Sequence, residues 1–327
     1  MRFGIIGTNW IADRFLAAAR EVQGFELTAV YSRTEEKAKE FAAKYGAAHT
    51  FTDIGQMADS GLIDAVYIAS PNFLHAEQSI LCMDHGIHVL CEKPAASNAR
   101  EFRSMAKAAK RNGVVFMEAM KSTLLPNFQA IQENLPKLGK VRRYLASYCQ
   151  YSSRYDAYKR GELPNAFNPS LSNGSLMDLG VYGIYPLVVL FGKPDAIKAS
   201  GVLLESGADG EGSILLQYPD MDAVIMYSKI TDSSLPSEIQ GENGCMAIHG
   251  ISQPHKVEIR YRDGSTEDLT KPQSEHTMAY EIREFVGLIE AGLSESPTNT
   301  HERSLLTLEI MDEARRQIGL VFPADQQ

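Results

Sequence analysis

The sequence has one tryptophan and four cysteines in 327 residues. Cys82, Cys91, Cys149 and Cys245 lie far apart and form no CxxC pair, which argues against a clustered zinc site or a disulfide framework. A reducing, cytoplasmic compartment is the expectation. No apolar run is long enough to span a bilayer; the longest, Val181–Phe191, is interrupted by glycine and proline. The densest basic cluster is only Lys137, Lys140, Arg142 and Arg143, so the positive footprint of a nucleic-acid binder is missing. Residues 1–7 run straight into a strand pattern, without signal-peptide anatomy. Internal repeats, low-complexity tracts and a G-x-S-x-G nucleophile elbow are absent as well. What remains is an ordinary globular composition, 44% hydrophobic, with 32 basic against 41 acidic side chains and a net charge of −9. The length suits two domains.

Short apolar runs alternate with helical periodicity through the first third. Residues 3–6, 25–31, 65–69, 87–90 and 114–117 read as strands, and 10–19, 35–45, 74–84 and 99–111 as helices. That alternation predicts βαβ units and a parallel sheet covered on both faces. Past residue 119 the rhythm changes. A helix over 128–135, an alternating segment over 141–151, a polar loop over 163–173 and a helix from about Leu176 lead into turn-punctuated strands between 196 and 262. These predict an open antiparallel sheet, closed by helices over 276–291 and 301–317. The expected division is 1–119 and 120–327.

The first strand ends Gly7-Thr8-Asn9-Trp10-Ile11-Ala12, which reads G-x-N-x-x-A beside the dinucleotide fingerprint G-x-G-x-x-G/A. Gly7 supplies the tight turn and Ala12 close packing, while the backbone from Thr8 to Ile11 opens a helix N-terminus toward a pyrophosphate. Asn9 places a side chain where bare backbone usually approaches, and its tolerance of positive φ would preserve the turn. An ordinary βα turn is the alternative. The second strand ends Tyr31-Ser32-Arg33-Thr34, with no acid to hold a ribose 2′-OH. Ser32 and Thr34 can donate to a 2′-phosphate, and Arg33 and Lys37 can grip it, so this tip favours NADP over NAD.

A later strand runs into Cys91-Glu92-Lys93-Pro94. Charged residues after an apolar strand lie at the carboxyl edge, where open α/β sheets bind ligands. Proline restricts Lys93 and could follow it through a cis bond. These pieces, with Ala69-Ser70-Pro71-Asn72-Phe73-Leu74-His75, Met117-Glu118-Ala119 and Gly174-Ser175-Leu176-Met177-Asp178-Leu179-Gly180-Val181-Tyr182, stand in the order and spacing of a known family. The chain resembles the Gfo/Idh/MocA oxidoreductases (glucose–fructose oxidoreductase, inositol dehydrogenase, rhizopine catabolism), nearest the branch of dimeric dihydrodiol and D-xylose dehydrogenases. The resemblance implies an α/β fold. An N-terminal Rossmann domain with a doubly wound parallel sheet would precede a C-terminal α/β domain with an open, mainly antiparallel sheet. It also implies homodimers or homotetramers packed through that second sheet. The implied activity is NADP-dependent hydride transfer to or from a sugar, polyol or related small hydroxy/carbonyl compound.

Site residues follow from the same resemblance. Asp178 and Tyr182, four apart, match the family's Asp-x-x-x-His/Tyr pair. Tyr182 is the implied general acid/base, and Lys93 the cation that lowers a phenol pKa of about 10 and stabilises alkoxide. Lys93 could instead donate the proton itself. Asp178 would hold a substrate hydroxyl or orient Lys93. Ser70, Pro71, Asn72, Glu92 and Glu118 fall where the family's cofactor runs; His75 joins them or packs at its helix start. Lys121 replaces an aromatic residue of dihydrodiol relatives and suggests a polar or acidic substrate. Tyr151, Arg154, Tyr155 and Asn168 come from segments able to line the pocket, and Gly180 and Gly183 would leave room for a ligand or another backbone. Arg33, Lys37, Lys93 and Lys121 would form a local basic channel. A regulator that binds the dinucleotide without turnover is the competing class; Lys93, Asp178 and Tyr182 together argue against it. His85 and His88 span a helix end and a strand start, which suits no metal.

Overall fold

The computed structural model describes residues 1–326 and divides into two units. The first comprises Met1–Lys121 with Ser274–Ser304, the second Ser122–Gln273 with the residues from Leu305 onward.

The first unit is built from β1 (Arg2–Ile6), α1 (Trp10–Ala19), β2 (Glu26–Tyr31), α2 (Glu35–Tyr45), β3 (His49–Phe51), α3 (Ile54–Asp59), β4 (Ala65–Ile68), α4 (His75–Asp84), β5 (His88–Glu92), α5 (Ala99–Asn112) and β6 (Phe116–Ala119). The strands are parallel in the order β3-β2-β1-β4-β5-β6. This is the doubly wound arrangement, and its order reverses between β1 and β4, where such sheets bind ligands beyond their carboxyl ends. All four residues of β4 are buried, as both-face coverage demands. Helix α5 shows why these segments fold locally. Asn98 caps it by accepting the Glu101 N–H at 3.0 Å. Ala99, Phe102, Met105, Ala108 and Ala109 form one buried stripe, and Gly113 ends it in the left-handed region at φ 63°.

The second unit contains α6 (Pro126–Asn134), β7 (Val141–Cys149), α7 (Tyr155–Lys159), a π-helical turn over Leu176–Gly180, and α8 (Val181–Phe191). Then come β8 (Ala196–Leu203), β9 (Asp209–Gln217), β10 (Asp222–Ser228), β11 (Ser237–Gly241), β12 (Gly244–His249), β13 (Lys256–Tyr261) and β14 (Thr266–Asp268). The eight strands run β14-β13-β12-β11-β7-β10-β9-β8. Every neighbouring pair is antiparallel except β7 with β10.

Helix α9 (Ala279–Glu290) belongs to the first unit, and α10 (His301–Ile318) begins there. The division at 119/120 therefore differs from the observed units in one respect. Residues 274–304 return to the first unit because the apolar face of α9 is buried there, with Phe285 6.0 Å from Phe3 between ring centroids. No helix among the described residues is long and apolar enough to cross a membrane.

Candidate active site

The β1–α1 turn depends on glycine at one point. Gly7 sits at φ +109°, and a Cβ there would lie 2.7 Å from the Ala69 carbonyl oxygen. Asn9 keeps an extended backbone, φ −106°, so positive φ is not what it supplies. Its Oδ1 instead accepts the N–H groups of Ile11 (3.0 Å) and Ala12 (3.2 Å), and its Nδ2 donates to Ala69 O (2.7 Å). Asn9 therefore caps α1 and ties the turn to the end of β4. By helix geometry the first N–H, that of Trp10, is left for a ligand. Thr8 and Ile11 are half-buried beside it, and Trp10 is exposed. At the tip of β2, Ser32 is buried and its N–H bonds Phe51 O at 3.1 Å, whereas Arg33, Thr34 and Lys37 are exposed.

The ends of β4, β5 and β6 are locked together by polar contacts. Ser70 donates to Gln78 Oε1 at 2.6 Å. Pro71 is exposed, and Asn72, half-buried, opens a short 3₁₀ turn before α4. His75 is buried, with Nδ1 2.9 Å from Pro94 O and Nε2 2.8 Å from Ser70 O. Its ring thus holds two loops in register rather than facing solvent, and burial lowers its pKa. The Lys93–Pro94 peptide is cis. Glu92 Oε1 accepts the Tyr67 hydroxyl at 2.5 Å and Oε2 the Lys93 N–H at 3.2 Å. Tyr67 is itself stacked on Phe15, 3.7 Å between centroids. The next N–H, of Ala95, donates to Glu118 at 2.9 Å. Lys93 therefore leaves from a loop held on three sides.

The charge around Lys93 is mixed rather than basic. Burial raises the pKa of Glu92, against the positive charges of Lys93 and Lys121. Burial pushes Glu118 up to about 7, against hydrogen bonds from Ser304 and Ala95. Glu281 of α9, 1% exposed, is raised well above the ordinary range by burial and by Glu92. Burial lowers the pKa of half-buried Lys121, while Glu281 and Glu92 pull it back up. The expected basic channel is thus an acid–base cluster of three carboxyls and two lysines, because α9 brings in a glutamate from far along the chain. Glu118 Oε2 and Glu281 Oε2 are buried without a hydrogen-bond partner.

In the second unit, Asp178 sits in the π-helical turn and Tyr182 in the first turn of α8. Both are half-exposed, while the other residues from 174 to 189 are buried. The four-residue spacing thus leaves these two polar groups on the accessible side of a buried helix. A π turn at such a position commonly marks a functional site. Gly180 and Gly183 serve packing, not a ligand. A Cβ on Gly180 would meet the Tyr227 ring at 3.1 Å, and one on Gly183 would meet Ile225 at 2.7 Å. Asp178 Oδ2 lies 2.5 Å from Lys229 Nζ. Tyr182 packs edge-on to Tyr148, 5.7 Å between centroids. Asp209, fully buried, accepts the N–H groups of Ser175 (3.1 Å) and Leu176 (2.6 Å) and fixes the start of the π turn.

Tyr151, Tyr155 and Phe167 form an aromatic cluster beside these groups' own sheet; Tyr155 lies 5.5 Å from Tyr151 and 5.6 Å from Phe167. Tyr151 donates to Asp156 at 2.8 Å. Arg154 is exposed at the start of α7. Asn168 spends its Oδ1 on the Ser170 N–H at 3.0 Å. His85 and His88 go to separate partners, His85 to Asp59 and Leu81 O, His88 to the Val115 N–H.

Residues 1–120 match the model of the oxidoreductase family with an NAD-binding Rossmann fold, and 129–247 match the GFO/IDH/MocA C-terminal domain. Over 326 residues the chain is 60% identical to scyllo-inositol 2-dehydrogenase (NADP(+)) IolU of Bacillus subtilis, covering 100% of this chain and 99% of that protein. The chain belongs to the Gfo/Idh/MocA family. A more distant Gfo/Idh/MocA relative is mouse trans-1,2-dihydrobenzene-1,2-diol dehydrogenase, 30% identical over 100% of this chain and 99% of its own. The fold matches the crystal structure of aldose-aldose oxidoreductase from Caulobacter crescentus complexed with glycerol, with TM-score 0.87, 21% identity and 97% of each chain covered.

Within this Gfo/Idh/MocA fold the residues present suit a phosphorylated dinucleotide. A cradle at Gly7 that a Cβ would fill, an open helix N-terminus, and exposed Arg33, Thr34 and Lys37 with no acid at the β2 tip are its donor set. Sequence reasoning missed Tyr67, Glu281, Lys229 and Asp209. Lys229 carried a signal: it continues the inward parity of Ala223, Ile225 and Tyr227. Glu281 carried a weaker one, standing four residues before buried Phe285 on the apolar stripe of its helix.

Proposed function

We propose that this protein is an NADP-dependent dehydrogenase of inositols, with scyllo-inositol as substrate. It is an oxidoreductase acting on CH–OH groups with NADP, and the observation that carries the finer reading is its 60% identity across the full length of IolU. Bound NADP supplies the nicotinamide carbon that accepts or returns the hydride. The chain's residues manage the alcohol. Tyr182, as phenolate, takes the hydroxyl proton as the ring carbon loses hydride, leaving a ring ketone, and as phenol returns it in reduction. Lys93, on its braced loop, stabilises the developing alkoxide electrostatically. Asp178 accepts a hydrogen bond from a substrate hydroxyl, a role suited to a polyol. Half-buried Lys121 and Glu92 make a polar surface on the first unit, which fits a hydroxylated ring better than an aromatic diol. Arg33, Thr34 and Lys37 hold the 2′-phosphate. Exposed Val202, Leu203 and Leu215 on β8 and β9 support assembly as a homodimer or homotetramer through the second sheet, in the cytoplasm.

The test is NADPH formation at pH 7–9 with a panel of inositol stereoisomers and aldoses. Oxidation of scyllo-inositol with NADP, and a clearly lower kcat/KM with NAD, is expected. No turnover of any inositol, or a preference for NAD, overturns the reading.

A further inference from the structure

Past the end of β10, Lys229 continues the inward-facing parity of the strand, and its side chain is only 6% exposed. Its backbone is fixed on both sides: the N–H donates to Gly210 O (2.9 Å), and the carbonyl accepts from Ser152 N–H (2.8 Å). The ammonium lies 2.5 Å from Asp178 Oδ2 and 5.9 Å from the centroid of the buried Phe167 ring. It also faces Asp209, the buried cap of the π turn, whose pKa burial raises to about 6 while the charge of Lys229 pulls it back. Burying an ammonium is costly, and an apolar side chain of similar volume would usually stabilise a core at least as well. Asp178, by contrast, is 41% exposed. The pair therefore joins a buried, immobilised cation to an accessible anion.

We propose that Lys229 is a positioning residue for the reaction, which holds the Asp178 carboxylate aimed to accept a substrate hydroxyl. The proposal rests on the reading of Asp178 as a substrate ligand. A cation held by a rigid backbone and in contact with the carboxylate fixes its rotamer. Without Lys229, Asp178 would lose that constraint.

The experiment is a double-mutant cycle of wild type, Asp178→Asn, Lys229→Met and the double variant, with Lys229→Arg as the conservative replacement. Readouts are KM and kcat for scyllo-inositol, NADP affinity, and the melting temperature of each protein. Asp178→Asn and Lys229→Met are each expected to lower kcat/KM about 10- to 100-fold, the range for a charge-assisted bond. NADP affinity stays within about twofold, and the double variant is no worse than the more impaired single one. Lys229→Arg recovers most of the loss. If Lys229→Met does not fold, Lys229→Gln replaces it in the cycle. Losses that multiply in the double variant, or wild-type kcat/KM without the lysine while Asp178→Asn is impaired, overturn the role of Lys229 alone. Wild-type kcat/KM in Asp178→Asn overturns the reading of Asp178 and the proposal with it.

Discussion

Replacing Glu118 by glutamine changes how stability responds to pH. Its ordinary value is 4.5, and burial raises it to about 7 in the folded chain. Between those values the folded chain keeps a proton that the unfolded chain has released. Unfolding free energy therefore falls as pH rises through this window. The contribution is intact below about pH 4.5 and gone above about pH 7, and at 1.36 kcal/mol per unit it amounts to about 3 kcal/mol. Glutamine keeps an acceptor for the Ala95 N–H and cannot ionise, so this pH dependence vanishes. The assay is urea unfolding of the cofactor-free protein at pH 5 and pH 8, followed by fluorescence of Trp10, the one tryptophan, which lies in the first unit. Glu92 and Glu281 titrate in both proteins and cancel to first order in the comparison. Relative to wild type, Glu118→Gln should gain about 2.5 kcal/mol between the two pH values. A gain below about 1 kcal/mol would show that Glu118 ionises normally in the fold and refute the reasoning.

Lys93→Met and Tyr182→Phe should each lower kcat by about 100-fold or more while NADP still protects against thermal unfolding; near-wild-type rates in both would sink the assignment. Gly7→Ala forces a side chain against Ala69 O at φ +109°. It should cost about 1–3 kcal/mol and weaken NADP at least about tenfold, and unchanged affinity by titration would count against that turn as the cofactor cradle. Arg33→Ala with Lys37→Ala should raise KM for NADP at least about tenfold and leave KM for NAD nearly unchanged; equal rises would remove the 2′-phosphate from the argument.

The first unit was legible where periodicity had length to show itself. Helices Trp10–Ala19 and Glu35–Tyr45 fall where the pattern put them. His49–Phe51 and Ile54–Asp59 escaped because three- and six-residue elements complete too few periods to register. At the candidate site, the sequence located the strand ends that carry Gly7, Ser70, Lys93 and Glu118, since each follows an apolar run. It misjudged Asn9, whose capping bond is decided by the position of Ala69 some sixty residues away. It did not mark Asp209, which is buried and caps a helix more than thirty residues upstream. Glu281 showed only its place on the apolar stripe of α9. Such groups reveal their role only when tertiary folding sets them beside a partner, which no local pattern encodes.

The return of α9 to the first unit has a consequence for biosynthesis. On a ribosome the parallel sheet can be made complete, through β6, while the helix that covers Phe3 is still unsynthesised. About 150 residues of the second unit emerge in between, which takes on the order of 10–30 s at typical elongation rates. During that interval the nascent sheet presents an apolar face and an uncovered Glu92–Lys121 cluster to solvent. The emerging second unit is tethered to the first only through residue 121 until residues 274–304 follow it. Premature termination between residues 121 and 274 would therefore release a sheet open to aggregation, and the final assembly of the cofactor-binding half would be among the last events in the chain's maturation.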